Sequence, residues 1–237
     1  AYGDERMIAH LFLPKKFNPP YQTVIYFPGT AVCLLNSSEN LEIPLTRLDF
    51  ILKNGRAVMF PVYYGTYERQ LRGNAYSWKT NQEKLEGYVN ITKDFKRSID
   101  YLETRDDIDI EKLAYYGFSW GGLTGNVLTV LDERIKVSIL FLGGILGGFD
   151  GRIPELALVT YLPRVKIPTL MLNGRYDLLL RYEERVKPMF DLLGTPEKKL
   201  KLYDVDHTIP KNELIKEVLA WLDRYLGQAN QESGEKW

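Results

Sequence analysis

The sequence predicts an α/β protein with a mostly parallel central sheet and helices on both faces. Three observations predict it. Short apolar runs of strand length alternate along the chain with longer stretches whose apolar residues recur at helical spacing. One strand-to-helix junction holds Gly117-Phe118-Ser119-Trp120-Gly121, a Gly-x-Ser-x-Gly turn. The 237 residues are 45% hydrophobic and 26% charged, which suits one sizeable domain with a buried core.

The elements follow in order. Met7 to Pro14 reads as a strand, and the lone His10 inside it is read as structural. Gln22 to Phe27 is a buried-strand run that ends in Pro28-Gly29-Thr30. Leu45 to Lys53 has a helical pattern, stopped by Asn54-Gly55. Arg56 to Tyr63 is the next strand. Its exit carries Tyr63, Tyr64 and Tyr67, which either line a pocket at the ligand-binding edge or cover the core. Leu85, Tyr88, Phe95, Ile99 and Leu102 place an amphipathic helix over 83–103.

Lys112 to Tyr116 is the strand entering the Gly-x-Ser-x-Gly turn, and Leu123 to Leu131 is the helix leaving it. Ile135 to Leu142 is another strand. Residues 145–165 form the one connection with the makings of a lid, and it is short. Ile167 to Leu172 is a strand ending in Asn173-Gly174-Arg175-Tyr176-Asp177, and Leu178 to Leu193 is helical in pattern. Lys199 to Val205 is the last strand, followed by Asp206-His207-Thr208. A closing helix runs from about Leu214 to Tyr225 and is stopped by Gly227. No repeat or linker splits the chain, so residues 1–227 are read as one catalytic domain and 228–237 as a frayed tail.

Composition narrows the function. Lysine plus arginine equals aspartate plus glutamate at 31 each, so no nucleic-acid partner is expected. No apolar run reaches membrane-spanning length, so no membrane partner is expected either. The single Cys33 excludes an internal disulfide and is read as packing. Two histidines, His10 and His207, are too few for most histidine-based metal sites, and the acidic turn Asp106-Asp107-Ile108-Asp109 lacks a full calcium-loop pattern. Neither a metal nor a cofactor is expected. The start at Ala1, without methionine or signal peptide, is read as an excised domain or a processed product, and the cytoplasm is expected rather than secretion. The oligomeric state is left open.

The chemistry gathers at strand exits. In a sharp strand-to-helix turn, residues two before and two after the serine must lack a Cβ, which is what Gly117 and Gly121 provide. The turn lifts the hydroxyl and aims the Trp120 N–H at the reaction site. A serine hydroxyl needs a base, and His207 is the histidine that follows a strand after the turn. The base needs an acid to fix its tautomer, and Asp177 leaves the preceding strand at the same edge. Asp204 and Asp206 are rival acids, but both lie close to His207 along the chain. The Pro28-Gly29-Thr30 turn is a place for a second oxyanion donor, or else an ordinary turn.

On Phe27-Pro28-Gly29-Thr30, Gly117-Phe118-Ser119-Trp120-Gly121-Gly122, Asn173-Gly174-Arg175-Tyr176-Asp177 and Asp206-His207, the chain resembles α/β-hydrolases of the dienelactone-hydrolase and prolyl-oligopeptidase-like branch. The likeness runs from Met7 to about Leu226. More loosely it is similar to hydrolase domains attached to some bacterial serine/threonine kinases. The resemblance implies the α/β-hydrolase fold with a minimal lid. It also implies Ser119 as nucleophile, His207 as base and Asp177 as acid, with the N–H groups of Thr30 and Trp120 as the oxyanion hole. Dienelactone hydrolases themselves use cysteine where this chain has Ser119, so lactone specificity does not carry over. The propeller of prolyl oligopeptidases is missing, which weighs against a peptidase.

The expected activity is a serine carboxylesterase acting on small short-chain esters. Tyr63, Tyr64, Phe118 and Phe149 are assigned to the substrate pocket. The alternatives are a serine peptidase and a non-catalytic binding or regulatory module of a larger protein.

Overall fold

The computed structural model describes residues 5–39, 41, 47–70, 77–145 and 157–229. Seven strands form one sheet: β1 (Ala9–Phe12), β2 (Tyr21–Phe27), β3 (Ala57–Pro61), β4 (Ile108–Phe118), β5 (Ile135–Phe141), β6 (Thr169–Gly174) and β7 (Lys198–Tyr203). Their spatial order is β1-β3-β2-β4-β5-β6-β7. All neighbours are parallel except β1, which runs antiparallel to β3 at one edge. The interior strands are buried on both faces, which is why they read as continuous apolar runs rather than alternating ones.

The helices are α1 (Asp49–Lys53), α2 (Asn81–Glu103), α3 (Trp120–Leu131), α4 (Lys187–Leu192) and α5 (Lys211–Leu226). Alternation along β4 sends Tyr115 and Tyr116 to opposite faces. Tyr115 meets Phe95 of α2 and donates its hydroxyl to the Gly121 carbonyl of α3 at 2.7 Å. Tyr116 lies on the face it shares with Tyr26. Gln22 lies on that same face, by the period of two along β2, and its amide donates to the Leu226 carbonyl at the end of α5. Asp49 of α1 pairs with Lys211 of α5, so these two helices cover that side together.

Helix α2 starts earlier than the apolar spacing indicates, because Thr80 and Glu83 form a reciprocal capping box. The stretch 178–193 differs more from its pattern. Residues 178–181 are not helical, 182–186 make a wide π turn, and only 187–192 are α-helical. Pro188 is the physical reason: it has no N–H to donate, and its ring crowds the carbonyl four residues back, which a wider turn relieves. Most of the connection expected to form a lid, 146–156 with Leu146, Phe149 and Leu156, lies outside the described residues. Past it come two short 3-10 turns, Leu158–Thr160 and Leu162–Arg164.

The pairing register positions the site. Phe27 pairs with Gly117, Phe118 with Phe141, Phe141 with Leu172, and Gly174 with Tyr203. Five parallel strands therefore end level, and their exits share one edge of the sheet.

Candidate active site

Ser119 stands between β4 and α3 with φ 52° and ψ −103°, a conformation costly for a residue with a Cβ. Packing holds it there. A Cβ at Gly117 would lie 2.2 Å from the Gly121 carbonyl oxygen, and one at Gly121 would lie 2.2 Å from that of Phe27. The two glycines let α3 start directly against β2 and β4. The Ser119 N–H donates to the Phe141 carbonyl at 2.8 Å, fixing the turn from the other side.

His207 and Asp177 reach Ser119 from the exits of β7 and β6. The imidazole Nε2 lies 3.1 Å from Ser119 Oγ, and Nδ1 lies 2.6 Å from Asp177 Oδ2. The other Asp177 oxygen accepts the N–H groups of Leu179 at 2.8 Å and Leu180 at 2.9 Å. Asp177 is buried, so these bonds supply what water would otherwise supply to a carboxylate. Hydroxyl, imidazole and buried carboxylate thus stand in series, the order needed to draw a proton from a serine.

The rival acids are engaged elsewhere. Asp204 pairs with Arg175 at 2.8 Å on the surface. Asp206 turns its Oδ1 to backbone, accepting the His207 N–H at 2.8 Å and the Leu178 N–H at 3.3 Å. It ties the loop carrying the imidazole to the loop carrying the carboxylate. That role had no signature in the sequence, because it depends on two loops meeting.

Thr30 and Trp120 are each the first residue of a helical segment, the 3-10 turn Thr30–Leu34 and α3. A first-turn N–H has no acceptor within its own helix. The Gly121 N–H donates to the Pro28 carbonyl at 3.1 Å and clamps the two segments together.

Of the residues assigned to the pocket, Phe118 is half-buried with its ring centroid 6.4 Å from that of His207. Phe149 lies outside the described residues. Tyr63 and Tyr64 require a correction. Both are buried, and neither offers surface to a substrate. Tyr63 stacks on Phe27 with centroids 4.1 Å apart, and the Tyr64 N–H is held by Asp94 at 2.8 Å. Once past β3 the chain turns down into the core, drawn by the buried Asp94–Arg69 pair at 2.5 Å. The Trp120 ring is likewise buried. It lies edge-on to Phe27 and donates its indole N–H to the Tyr88 hydroxyl at 3.2 Å. Arg47, which the sequence did not single out, stacks over Phe118 at 4.0 Å.

Among the described residues no group of three metal-ligating side chains is assembled, and no helix is long and apolar enough to cross a membrane. A cavity of about 500 Å³ opens beside β1 and α2, between Met7, Leu11, Met59, Arg97 and Tyr101, and the three residues in series do not line it.

Comparison with known proteins agrees with this architecture. The provisionally named hydrolase YtaP of Bacillus subtilis (strain 168) is 26% identical over 147 residues, 58% of this chain and 48% of that protein. The match thus spans about half the length of that relative. A PEG-bound cold-adapted esterase from an Arctic intertidal metagenomic library superposes with a TM-score of 0.73 at 22% identity, over 94% of this chain and 90% of the other. The acetyl xylan esterase of Paenibacillus sp. R4 gives 0.69 at 16% identity, over 93% and 80%. At such identities the likeness speaks to the fold, which is that of the α/β-hydrolases. Residues 46–211, a span that includes Ser119, Asp177 and His207, match the dienelactone hydrolase family, and the chain belongs to that family.

Proposed function

We propose that this protein is a serine carboxylesterase that cleaves small short-chain acyl esters through an acyl-enzyme. The observation that carries the reading is the series Ser119 Oγ, His207, Asp177, with separations of 3.1 and 2.6 Å. Ser119 Oγ attacks the ester carbonyl carbon while His207 Nε2 takes the hydroxyl proton. The imidazolium so formed is stabilised by Asp177, which also holds Nδ1 protonated in the resting state. The carbonyl π pair moves onto oxygen, and the N–H groups of Trp120 and Thr30 receive the negative charge. Collapse breaks the bond to the alkoxy group, which leaves as alcohol with the proton from Nε2. A water then repeats the sequence on the acyl-enzyme and releases the acid.

Two observations support small acyl groups. The connection from β5 to β6 is too short for a separate cap domain. Phe118 sits beside His207, where a short apolar acyl chain would be received. Each methylene buried there is worth about 0.8 kcal/mol until the space is full. With p-nitrophenyl esters of graded length, kcat/KM should peak at roughly two to six acyl carbons, with no jump when substrate forms micelles. A rate that climbs through long chains overturns the short-chain reading. Labelling of Ser119 by a fluorophosphonate separates an enzyme from an inert module, and aminoacyl anilides cleaved faster than simple esters would point to a peptidase.

A further inference from the structure

Three non-glycine residues among those described have positive φ: Ser119 at 52°, Leu142 at 51° and Tyr67 at 48°. All three follow strand ends on the edge that carries the site. Strain of this kind persists only where surrounding packing enforces it. At Tyr67 the enforcing groups are plain. Asp94 of α2 is fully buried and takes the Arg69 guanidinium at 2.5 Å and the Tyr64 N–H at 2.8 Å. Arg69 also donates to the Val62 carbonyl at 2.8 Å, and the Gly65 N–H donates to the Arg69 carbonyl at 3.1 Å. The turn is locked from both ends, and Glu68 projects from its middle.

Glu68 turns its carboxylate to Ser38. Its Oε1 accepts the Ser38 hydroxyl at 2.8 Å and its Oε2 accepts the Ser38 N–H at 3.0 Å. Ser38 is 1% exposed. Its one hydroxyl proton goes to Glu68, so the 2.9 Å contact from His10 Nε2 to Ser38 Oγ has the imidazole as donor. Gln70, two residues on, donates to the Leu35 carbonyl, and the Leu35 N–H closes on Val32 of the 3-10 turn at 3.3 Å. The segment from Thr30 to Ser38 is thus moored to a strained, rigid turn at two points. Thr30 is its first residue.

We infer that Glu68 is a positioning residue for the oxyanion hole: through Ser38 it fixes the segment that carries the Thr30 N–H. The inference rests on the reading of Thr30 as an oxyanion donor. Glu68 meets no reacting atom. Its contribution is that a backbone donor on a loop stays where charge develops in the transition state, and displacement of such a donor costs far more in kcat than in KM.

A double-mutant cycle tests this. Thr30→Pro removes the donor itself at a first helical position, where proline is tolerated. It should lower kcat on p-nitrophenyl acetate about 10²–10³-fold. Glu68→Ala should lower kcat about tenfold or more with KM changed less than about threefold, and Glu68→Gln, which keeps one acceptor, should recover part of the loss. In the Thr30→Pro background the Glu68→Ala loss should all but vanish, because no donor is left to position. The same factor lost in both backgrounds, or a raised KM at unchanged kcat, overturns the inference. Thr30→Pro at wild-type rate overturns the oxyanion reading and the inference with it. A slow Thr30→Pro beside an unaffected Glu68→Ala overturns the inference alone. If Thr30→Pro does not fold, affinity for a trifluoromethyl ketone decides: Glu68→Ala should weaken it by the factor lost in kcat/KM, and unchanged affinity overturns the inference.

Discussion

Gly174 and Asp206 touch across the ends of β6 and β7: a Cβ at position 174 would lie 2.1 Å from the Asp206 carbonyl oxygen. This contact brings the loop of Asp177 against the loop of His207. With a side chain at 174 one loop must move by more than 1 Å to restore ordinary contact.

Gly174→Ala should therefore act on catalysis more than on the fold. A displacement of that size between acid and base should cost about 10²-fold in kcat, with a stability loss of roughly 1–3 kcal/mol from overpacking. Kinetics on a short-chain ester beside a urea melt separates the two. Full activity in a folded variant would mean that the loops have room to part.

The three carboxylates near His207 should behave differently. Asp177→Asn should lower kcat by about 10⁴-fold, because an amide cannot hold the imidazole in the required tautomer. Asp206→Asn keeps an oxygen to accept the backbone N–H groups and should cost about tenfold or less. Asp204→Asn loses a surface ion pair with Arg175, worth at most about 1 kcal/mol of stability, and should leave kcat unchanged. Parallel kcat measurements on the three variants give the ranking, and a larger loss at Asp206 than at Asp177 would reassign the acid.

Asp94 makes stability depend on pH. Burial pushes its carboxyl up from 3.8 to about 6, against the pull of the Arg69 guanidinium. The folded state then holds a proton that the unfolded chain releases between those values, so this group's contribution to stability falls as pH rises from about 4 to about 6. Asp94→Asn removes the titrating group. Urea midpoints measured at half-unit pH steps should show wild type losing ground to Asp94→Asn across that window. Parallel pH curves for the two proteins would mean that Arg69 fully offsets burial.

What was legible in the sequence follows from which constraints are local. Gly117 and Gly121 are demanded by one sharp turn, and Asp177 and His207 each lie a few residues past a strand, so spacing and order were enough to single them out. Tyr63 and Tyr64 also follow a strand, yet they are buried. Their course depends on Asp94, thirty residues on along α2, and nothing in the sequence near the strand exit discloses that contact. The mooring of Ser38 by Glu68 and the strut at Asp206 were hidden for the same reason: each joins loops that meet only after the sheet has formed. Leu178 to Leu180 show the opposite failure. Their apolar run continues a helical pattern, yet residues 178–181 are not helical, and the α-helix there is confined to 187–192.

The assignment of Ser119 Oγ as nucleophile stands or falls with kcat of Ser119→Ala on p-nitrophenyl acetate. With the far-ultraviolet circular dichroism of wild type retained, the rate should fall by about three orders of magnitude or more, leaving only what binding and the oxyanion donors supply. Turnover near the wild-type value in that folded variant would mean that another group attacks the ester.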